Sequence, residues 1–233
     1  MIELRRREGR PLRIGHRGAA ALAPENTLES IALAVELGCD LVEFDVHAVA
    51  GSLVLAHDRP HAAKGLPELD DALAYLASTG AGVQLDLKSP GVEREVASAL
   101  RRHGLVERTL VSSFRSATLR ALHAVEPGLR LGRTYPQDRT GLAQGPFVAA
   151  LVRPGLWGLR RALVRRIGGL LAGAEAGVAV LNWAVVSEAV VARCRALGAP
   201  VLAWTVDDPN VLRRLDELGV DGVITNDPRI FAG

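Results

Sequence analysis

Short apolar runs rich in β-branched residues alternate with stretches of helical periodicity along most of the chain. The pattern predicts strands at 12–16, 40–46, 53–57, 82–87, 108–113, 129–134, 178–182, 200–206 and 221–225, and helices at 27–37, 67–78, 92–103, 116–125, 156–172, 187–197 and 209–218. Such alternation is typical of βα units around a parallel sheet. The run at 53–57 follows its predecessor closely and is interpreted as a hairpin extension, which leaves eight strands. Eight strands with helices between them predict an α/β fold of the (β/α)8, or TIM-barrel, type.

Two carboxylates lie on one face of the second predicted strand. Glu43 and Asp45 are two residues apart, so their side chains project together. The other face carries Val42, Phe44 and Val46. Two acids on one face of a buried strand are costly to desolvate unless a cation meets them. All-oxygen ligands suit Mg2+ or Ca2+, and the sequence lacks the cysteine and histidine spacing of a structural zinc site.

Other polar residues follow further predicted strands at the same end. Asp86 and Lys88 close the strand at 82–87 and again share one face. The candidate site residues are His16, Arg17, Glu43, Asp45, His57, Asp86, Lys88 and Trp204. All of them lie toward the carboxyl ends of predicted strands, which is the face where barrel enzymes hold their active sites. The third carboxylate strengthens the prediction of a metal site.

His16 and His57 are candidates for proton transfer. Each follows a strand beside the candidate metal ligands, and imidazole both accepts and donates protons near neutral pH. The alternative is that each histidine only completes hydrogen bonds within the structure. His47, just beyond the two carboxylates, is a weaker third candidate, and the remaining histidines are treated as ordinary.

Several short motifs occur in one order along the chain. They are His16-Arg17-Gly18, Pro24-Glu25-Asn26-Thr27, Glu43-x-Asp45, His57-Asp58, Gln84-Leu85-Asp86-Leu87-Lys88, Val111-Ser112-Ser113-Phe114, Ala203-Trp204-Thr205-Val206 and the run from Gly219 to Pro228. In this order they resemble the glycerophosphodiester phosphodiesterase family, whose members are TIM barrels of the phospholipase-C-like phosphodiesterase type. The resemblance extends from about residue 12 to 230 and is weak or absent at 59–66 and 134–176.

The resemblance implies an enzyme that hydrolyses glycerophosphodiesters to an alcohol and glycerol 3-phosphate. Glu43, Asp45 and Asp86 would bind one divalent cation, Mg2+ or Ca2+. His16 and His57 would act as general acid and general base, in an order that the sequence leaves open. Attack on phosphorus by a neighbouring substrate hydroxyl and direct attack by water both remain open.

The other candidate residues have two interpretations each. Arg17 and Lys88 would hold phosphate oxygens, or form ion pairs with the neighbouring acids, or do both. Trp204 would form a wall of the substrate pocket or pack inside the barrel. Glu25 and Asn26 are expected to brace the loop after His16. Asp221 and Asp227 are interpreted as turn and capping residues.

Two departures from the family pattern bear on the substrate. Family members usually carry glutamate where this chain has Asp86, and aspartate in this setting is similar to the sphingomyelinase D enzymes. The family's insertion after the His57-Asp58 motif is also reduced to a few residues, as in lysophospholipase D-like relatives. A more open mouth would favour a lysophospholipid, so a lysophospholipase D-like activity at a membrane surface is the alternative function.

The segment 134–176 is a basic amphipathic insertion in a chain otherwise expected to form one catalytic domain over 1–233. Its apolar positions are Leu156, Leu159, Leu163, Ile167 and Leu170, and its arginines are Arg153, Arg160, Arg161, Arg165 and Arg166. A basic amphipathic helix with leucine and tryptophan is typical of membrane-surface contact. The hypothesis is therefore peripheral membrane contact through 156–172. The alternative is an ordinary outer helix packed on the barrel.

Composition and short sequence signals narrow the possible functions and the expected cellular location. A net charge of +2 and 4% aromatic residues argue against a nucleic-acid surface. Cys39 and Cys194 suggest reduced thiols rather than a disulfide framework, and no secretory signal or 18-residue apolar window is present. The expected location is cytoplasmic, with contact to the inner membrane face as an addition. A catalytically inactive lipid- or phosphate-binding barrel and an unrelated metal-dependent barrel hydrolase are the rival classes.

Overall fold

A computed structural model describes residues 2–136 and 153–232, with side chains described from residue 158 onward in the second range. The strands are β1 (Leu12–Gly15), β2 (Leu41–Val49), β3 (Ser52–Leu55), β4 (Gly82–Leu87), β5 (Thr109–Ser113), β6 (Arg130–Tyr135), β7 (Val178–Asn182), β8 (Val201–Trp204) and β9 (Gly222–Thr225). The helices are α1 (Leu28–Glu36), α2 (Leu69–Ala77), α3 (Glu93–Arg102), α4 (Ser116–Val125), α5 (Arg153–Ala172), α6 (Glu188–Ala196) and α7 (Pro209–Glu217). Short 3-10 turns occur at Val106–Arg108, Trp183–Val185 and Pro228–Ala232.

Eight parallel strands close into a barrel. Strand β1 pairs with β2 on one side and with β9 on the other, and each remaining barrel strand pairs in parallel with its neighbours. The predicted (β/α)8 fold is therefore confirmed. Strand β3 lies outside the closed set and pairs antiparallel with β2, as the hairpin interpretation expected.

The hairpin makes β2 longer than its apolar run predicted. Pairing with β3 continues from Val46 opposite Leu55 to Val49 opposite Ser52. The two turn residues, Ala50 and Gly51, both have positive φ, which matches the twist of a two-residue hairpin. As a result β2 extends beyond its barrel pairing with β4 and carries His47 into the hairpin.

Two apolar cores fill the two sides of the sheet. Inside the barrel, buried side chains from several strands pack near its amino-terminal end and include Leu12, Ile14, Leu41, Leu110 and Leu202. Outside, the opposite faces of the strands pack against the helices, where Phe44 is the largest fully buried side chain. These apolar side chains occupy only the amino-terminal part of the barrel interior. The side chains that point inward near the carboxyl end are largely polar and line a cavity.

Helix α5 packs on the barrel through its apolar stripe. Leu163, Ile167 and Leu171 are buried in the outer core, and Leu159 and Leu170 pack partly against it. The outer-helix alternative therefore accounts for the apolar face, while the arginine face points outward. Arg160, which interrupts the stripe, donates from Nε to the Ala184 carbonyl at 2.9 Å. The part of the predicted insertion at 137–152, and the side chain of Leu156, lie outside what the structure describes.

Two further sequence expectations concern membranes and thiols. Within the described ranges, no helix combines the length and apolarity needed to cross a bilayer. Cys39 and Cys194 are both free and buried, in agreement with the expectation of reduced thiols.

Candidate active site

A cavity of about 1140 Å3 opens at the carboxyl end of the barrel. Its lining includes all eight candidate residues, His16, Arg17, Glu43, Asp45, His57, Asp86, Lys88 and Trp204. Residues on or just after β1, β2, β3, β4 and β8 thus converge on one cavity although they are separated by up to 188 positions. The structure therefore brings together the residues that were selected by their strand-end positions.

The turn after β1 packs closely against the first residues of α1. Gly18 has a φ of +83°, and a Cβ there would lie 2.4 Å from the backbone of Ser30 on α1. Only glycine fits this position, so the loop can fold tightly over the start of the helix. Arg17 itself has a φ of +51°, an uncommon conformation for a residue with a side chain. Thr27 and Ser30 complete a capping box on α1, which anchors the other end of the loop.

Glu43, Asp45 and Asp86 form the centre of the site. They are 4%, 1% and 5% exposed, and one oxygen from each lies within 4.8 Å of the others. Asp45 and Asp86 are direct neighbours in the β2–β4 register. Three converging carboxylates in a buried cup are a donor set for a hard divalent cation.

Two cations meet the central carboxylate. Lys88 Nζ lies 2.7 Å from Asp45 Oδ1 and also donates to Asp86 Oδ2. Arg17 Nε lies 3.1 Å from Asp45 Oδ2, and its Nη1 donates to Glu25 at 2.6 Å. Although burial alone would raise the pKa of Asp45, the charges of Lys88 and Arg17 hold that pKa at about 2.

The carboxylates still outnumber their cations. Three acids face Lys88 and Arg17, which leaves one negative charge in surplus if all five groups are ionised. Burial, together with the charges of Asp45 and Asp86, raises the pKa of Glu43 well above its ordinary value. A divalent cation would remove that penalty, so the residues present fit a metal such as Mg2+ or Ca2+.

Lys88 occupies the carboxylates that a metal would share, so we expect the Lys88→Met protein to bind Mg2+ more tightly than the wild type. Removing the positive charge of Lys88 should raise the Mg2+ affinity by about tenfold or more, since unit charges a few ångströms apart in a protein interact by about 1–4 kcal/mol and 1.4 kcal/mol is tenfold. Isothermal titration of Mg2+ into the metal-free proteins measures the change. Lys64→Met is the matched control because Lys64 is exposed and lies outside the cavity lining. Weaker Mg2+ binding by Lys88→Met would show that Lys88 instead orients the carboxylates for the metal.

His16 is oriented by a series of hydrogen bonds that link the end of β1 to the end of β9, the two strands that close the barrel. Its Nδ1 lies 2.7 Å from Asn226 Oδ1, and Asn226 Nδ2 donates to Asp207 Oδ2 at 2.7 Å. Asn226 also donates its backbone N–H to Asp207 Oδ1 at 2.8 Å, which fixes the residue at both ends. Because the amide oxygen can only accept, Nδ1 of His16 carries the proton. The lone pair of Nε2 therefore faces the site, 4.0 Å from Glu43 Oε2.

The environment of His16 favours the neutral ring. Burial, followed by the charge of Arg17, lowers the pKa of His16 to about 4 from its ordinary 6.5. Above pH 4 the ring is thus neutral and able to accept a proton. In the unfolded chain the same ring takes up a proton as the pH falls through 6.5.

This pKa difference predicts a loss of stability in mild acid. The unfolded state binds a proton between pH 6.5 and 4 that the folded state does not, so the contribution of His16 is fully present above pH 6.5 and is lost as the pH falls toward 4. The loss is on the order of 3 kcal/mol. Urea unfolding of the wild type and His16→Gln at pH 7 and pH 4.5 isolates it as a difference. Parallel pH dependences in the two proteins would contradict it.

His57 also lines the cavity but is held by different contacts. Its side chain is 41% exposed, and its Nδ1 lies 3.3 Å from the open carboxylate of Asp58. The backbone carbonyl of His57 lies 3.2 Å from Nε2 of His47, whose ring is 7% exposed. His16 and His57 therefore differ in solvation, since the His16 side chain is 14% exposed beside the carboxylates and the His57 side chain is 41% exposed.

Aromatic residues form the less polar wall. Trp204 donates from Nε1 to the Val180 carbonyl at 3.3 Å, and its ring meets Phe114 edge-on at 6.1 Å between centroids. Lys88 Nζ lies 5.5 Å from the Phe114 ring centre. Both interpretations of Trp204 hold in the geometry, because it packs on the interior core and also lines the cavity.

Several supporting residues were not assigned from the sequence. Asn226 and Asp207 orient His16, and Ser112 donates to Asp86 Oδ1 at 2.8 Å. Asn26 was expected to brace the loop and to help cap α1, whose N-cap is Thr27. Its amide instead donates to Asp45 Oδ2 at 3.2 Å and its side-chain carbonyl accepts the Asp45 backbone N–H at 3.0 Å. The available signal was the strand-end position, since Asn226 follows β9 just as His16 follows β1.

Comparisons with known proteins match most of the chain. The sequence model of the glycerophosphoryl diester phosphodiesterase family aligns with residues 16–73 and 82–230. A curated glycerophosphodiester phosphodiesterase of Caldanaerobacter subterraneus is 27% identical over 252 residues, covering 92% of this chain and 93% of the relative. Another, from Bacillus subtilis, is 24% identical and covers 95% of this chain and 85% of the relative.

Solved structures resemble the barrel closely. A glycerophosphodiester phosphodiesterase from Agrobacterium tumefaciens has a TM-score of 0.71 at 24% identity, covering 95% of this chain and 99% of the other. An Oleispira antarctica phosphodiesterase, solved in complex with the product sn-glycerol-3-phosphate, has a TM-score of 0.73 at 23% identity and covers 95% and 96% of the two chains. At these identities the structural likeness establishes the fold.

Proposed function

The chain belongs to the glycerophosphoryl diester phosphodiesterase family, and on that premise we propose that it is a metal-dependent phosphodiesterase. It would hydrolyse glycerophosphodiesters to an alcohol and glycerol 3-phosphate, with the whole of 1–233 as one catalytic domain. The observation that carries the proposal is the cluster of Glu43, Asp45 and Asp86 in a barrel cavity that two histidines also line. A cytoplasmic location belongs to the same proposal, and the two free thiols support it.

Glu43, Asp45 and Asp86 would hold the divalent cation. When bound, such an ion polarises the phosphodiester and neutralises charge that develops on its oxygens. The shorter arm of Asp86 is supported by the hydroxyl of Ser112, which donates to its Oδ1. Asn26 holds Asp45 at both its carboxylate and its backbone, so the central ligand is fixed before a metal arrives.

We assign His16 as the general base and His57 as the general acid. The Asn226 contact places the proton of His16 on Nδ1, so Nε2 can take a proton from the attacking hydroxyl or water. The low pKa of His16 keeps it in the accepting form across the neutral range. His57, at the solvent border of the cavity, would give its proton to the departing alcohol oxygen.

Arg17 and Lys88 would contact the phosphate oxygens. Both are held by Asp45 and line the cavity, so both would face an anionic substrate bound there. Guanidinium and ammonium groups both stabilise the extra negative charge of the transition state. Trp204 and Phe114 would line the part of the cavity that receives the alcohol.

The membrane-surface alternative has weaker support in the fold. The apolar stripe of α5 is covered by the barrel, which leaves Arg165 and Arg166 on the outer face as the groups for an anionic lipid surface. Peripheral contact through 156–172 would thus be electrostatic, and flotation with anionic liposomes at low salt tests it. An unbound protein in that assay would remove both the contact and its role in a lysophospholipase D-like activity.

The decisive experiment follows glycerophosphocholine and lysophosphatidylcholine by 31P and 1H NMR, each with Mg2+, Ca2+ or EDTA. We expect metal-dependent release of choline and glycerol 3-phosphate from the small diester. A transient cyclic phosphate signal would identify attack by the substrate hydroxyl, and its absence from a fully resolved time course would identify attack by water.

The other outcomes separate the rival functions. Turnover of the lysolipid alone would support the lysophospholipase D-like alternative. A wild type that behaves like His16→Ala on both substrates, while still binding glycerol 3-phosphate, would identify an inactive phosphate-binding barrel. A full rate in EDTA would refute the metal-dependent proposal.

A further inference from the structure

His47 is a buried residue close to the site but outside the cavity lining, and the proposed chemistry does not use it. It lies at the rim end of β2, two positions beyond Asp45, and pairs with Val54 in the β2–β3 hairpin. Although its ring is 7% exposed, both ring nitrogens have partners. A buried imidazole with both nitrogens engaged is fixed in place.

The hydrogen bonds around His47 form one directed chain. The Ala48 N–H donates to Ser89 Oγ at 3.0 Å, and Ser89 Oγ lies 3.4 Å from His47 Nδ1. At the other side of the ring, Nε2 lies 3.2 Å from the carbonyl of His57. A carbonyl only accepts, so Nε2 carries the proton, and Nδ1 then accepts from the serine hydroxyl. Every donor in the chain has an acceptor.

The loop after β3, which these hydrogen bonds hold through His57, is otherwise weakly anchored. Beyond the end of β3 the backbone is irregular until α2 begins at Leu69. Ala56 donates its backbone N–H to the Asp45 backbone carbonyl at 3.2 Å. The next residue is His57, and among the described residues its backbone has one hydrogen bond, which comes from the ring of His47. Among the described residues, the exposed Asp58 is the one ion-pair partner of the His57 side chain.

We propose that His47 is a positioning residue that holds His57 at the mouth of the cavity, and this rests on the proposed function. Ser89 follows Lys88 directly, so the same series of hydrogen bonds also connects the end of β4 to the loop that contains His57. A proton donor must stay within hydrogen-bond reach of the leaving oxygen, and a displacement of about 1 Å costs on the order of 100-fold in rate. His47 thus acts on the leaving-group step without touching the substrate.

The test compares two diesters with the same glycerophosphoryl part. In glycerophosphocholine the leaving alkoxide needs a proton, whereas in the p-nitrophenyl ester of glycerol 3-phosphate the leaving phenolate does not. We expect His47→Leu to lose about 10- to 100-fold in kcat on glycerophosphocholine, with KM within about twofold, and to lose less than about threefold on the p-nitrophenyl ester. His57→Ala should show the same pattern more strongly.

Two further variants make the assignment specific. His47→Gln can present an amide N–H to the His57 carbonyl and should restore most of the loss on glycerophosphocholine. The double variant His47→Leu/His57→Ala should be no slower than His57→Ala alone, because both changes act through one group. His123→Leu, at an exposed position on α4, is the matched control and should match the wild type on both esters.

The outcomes separate this inference from the proposed function. If His57→Ala shows the leaving-group pattern and His47→Leu loses equally on both esters, or loses nothing, the positioning role is refuted while the phosphodiesterase stands. Mg2+ titration and thermal melting of His47→Leu identify a general structural defect, which would also refute it. A wild type inactive on both esters refutes the proposed function itself.

Discussion

Asp45→Asn is expected to weaken Mg2+ binding by about 100-fold or more and to abolish measurable turnover. Asp45 is the carboxylate on which the site is centred, because Lys88, Arg17 and Asn26 all contact it. The substitution keeps the shape and removes the charge. Ligand charge is a main determinant of affinity for hard divalent ions, so the loss should exceed that from a change in geometry alone.

The same substitution should destabilise the metal-free protein. Lys88 keeps its contact with Asp86, but the Arg17 Nε loses its anionic partner in a buried setting. Breaking a buried ion pair from one side costs about 3–5 kcal/mol, and the remaining contacts place this case near the lower end. Isothermal titration with Mg2+ and Ca2+ measures the affinity, and urea unfolding in EDTA measures the stability.

Asp40→Asn is the matched control for this prediction. Asp40 immediately precedes β2 at the opposite end of the barrel and pairs with Arg10 at 2.7 Å. Its substitution should reduce stability while leaving the Mg2+ affinity unchanged. An Asp45→Asn protein that binds Mg2+ like the wild type would place the metal away from the three carboxylates and remove the basis of the proposed chemistry.

The parts of the site that were predictable follow from strand periodicity. Glu43 and Asp45 had to share a face because side chains alternate along a strand, and the barrel placed Asp86 beside Asp45 in register. The apolar stripe of α5 could also be predicted from the sequence, but the surface against which it packs could not. An amphipathic helix shows which face is buried, and the same stripe can meet a barrel or a membrane.

The contacts that orient the histidines were not predictable from the pattern. Asn226 meets His16 across 210 positions because β9 closes the barrel against β1, and the chain carries no local signal of that pairing. His47 was only a weaker candidate, and its contact with His57 could not be predicted because it depends on the Ala50–Gly51 turn, which sets the hairpin register. Periodicity gives the face on which a side chain lies, whereas hydrogen-bond partners depend on closure and register.

His16→Ala is expected to lower kcat by about 1000-fold on every diester, because proton removal from the attacking group precedes departure of any alcohol. General base catalysis contributes about 100- to 10,000-fold, and the buried, fixed ring of His16 favours the middle of that range. The loss should be equal for glycerophosphocholine and for the p-nitrophenyl ester, in contrast to His57→Ala. Steady-state kinetics on both esters, with Mg2+ affinity as a check on the site, measure it.

The pH profile gives an independent measure of the same role. A base works only when neutral, so activity should be retained as the pH falls through 6.5 and should decline only toward pH 4, where the pKa of His16 lies. Asn226→Asp would place a carboxylate beside Nδ1, raise that pKa and move the acidic limb upward, whereas Asn226→Leu would release the ring and lower kcat. If His16→Ala instead spares the p-nitrophenyl ester, His16 is the acid and His57 the base, because only protonation of the leaving group depends on which alcohol departs.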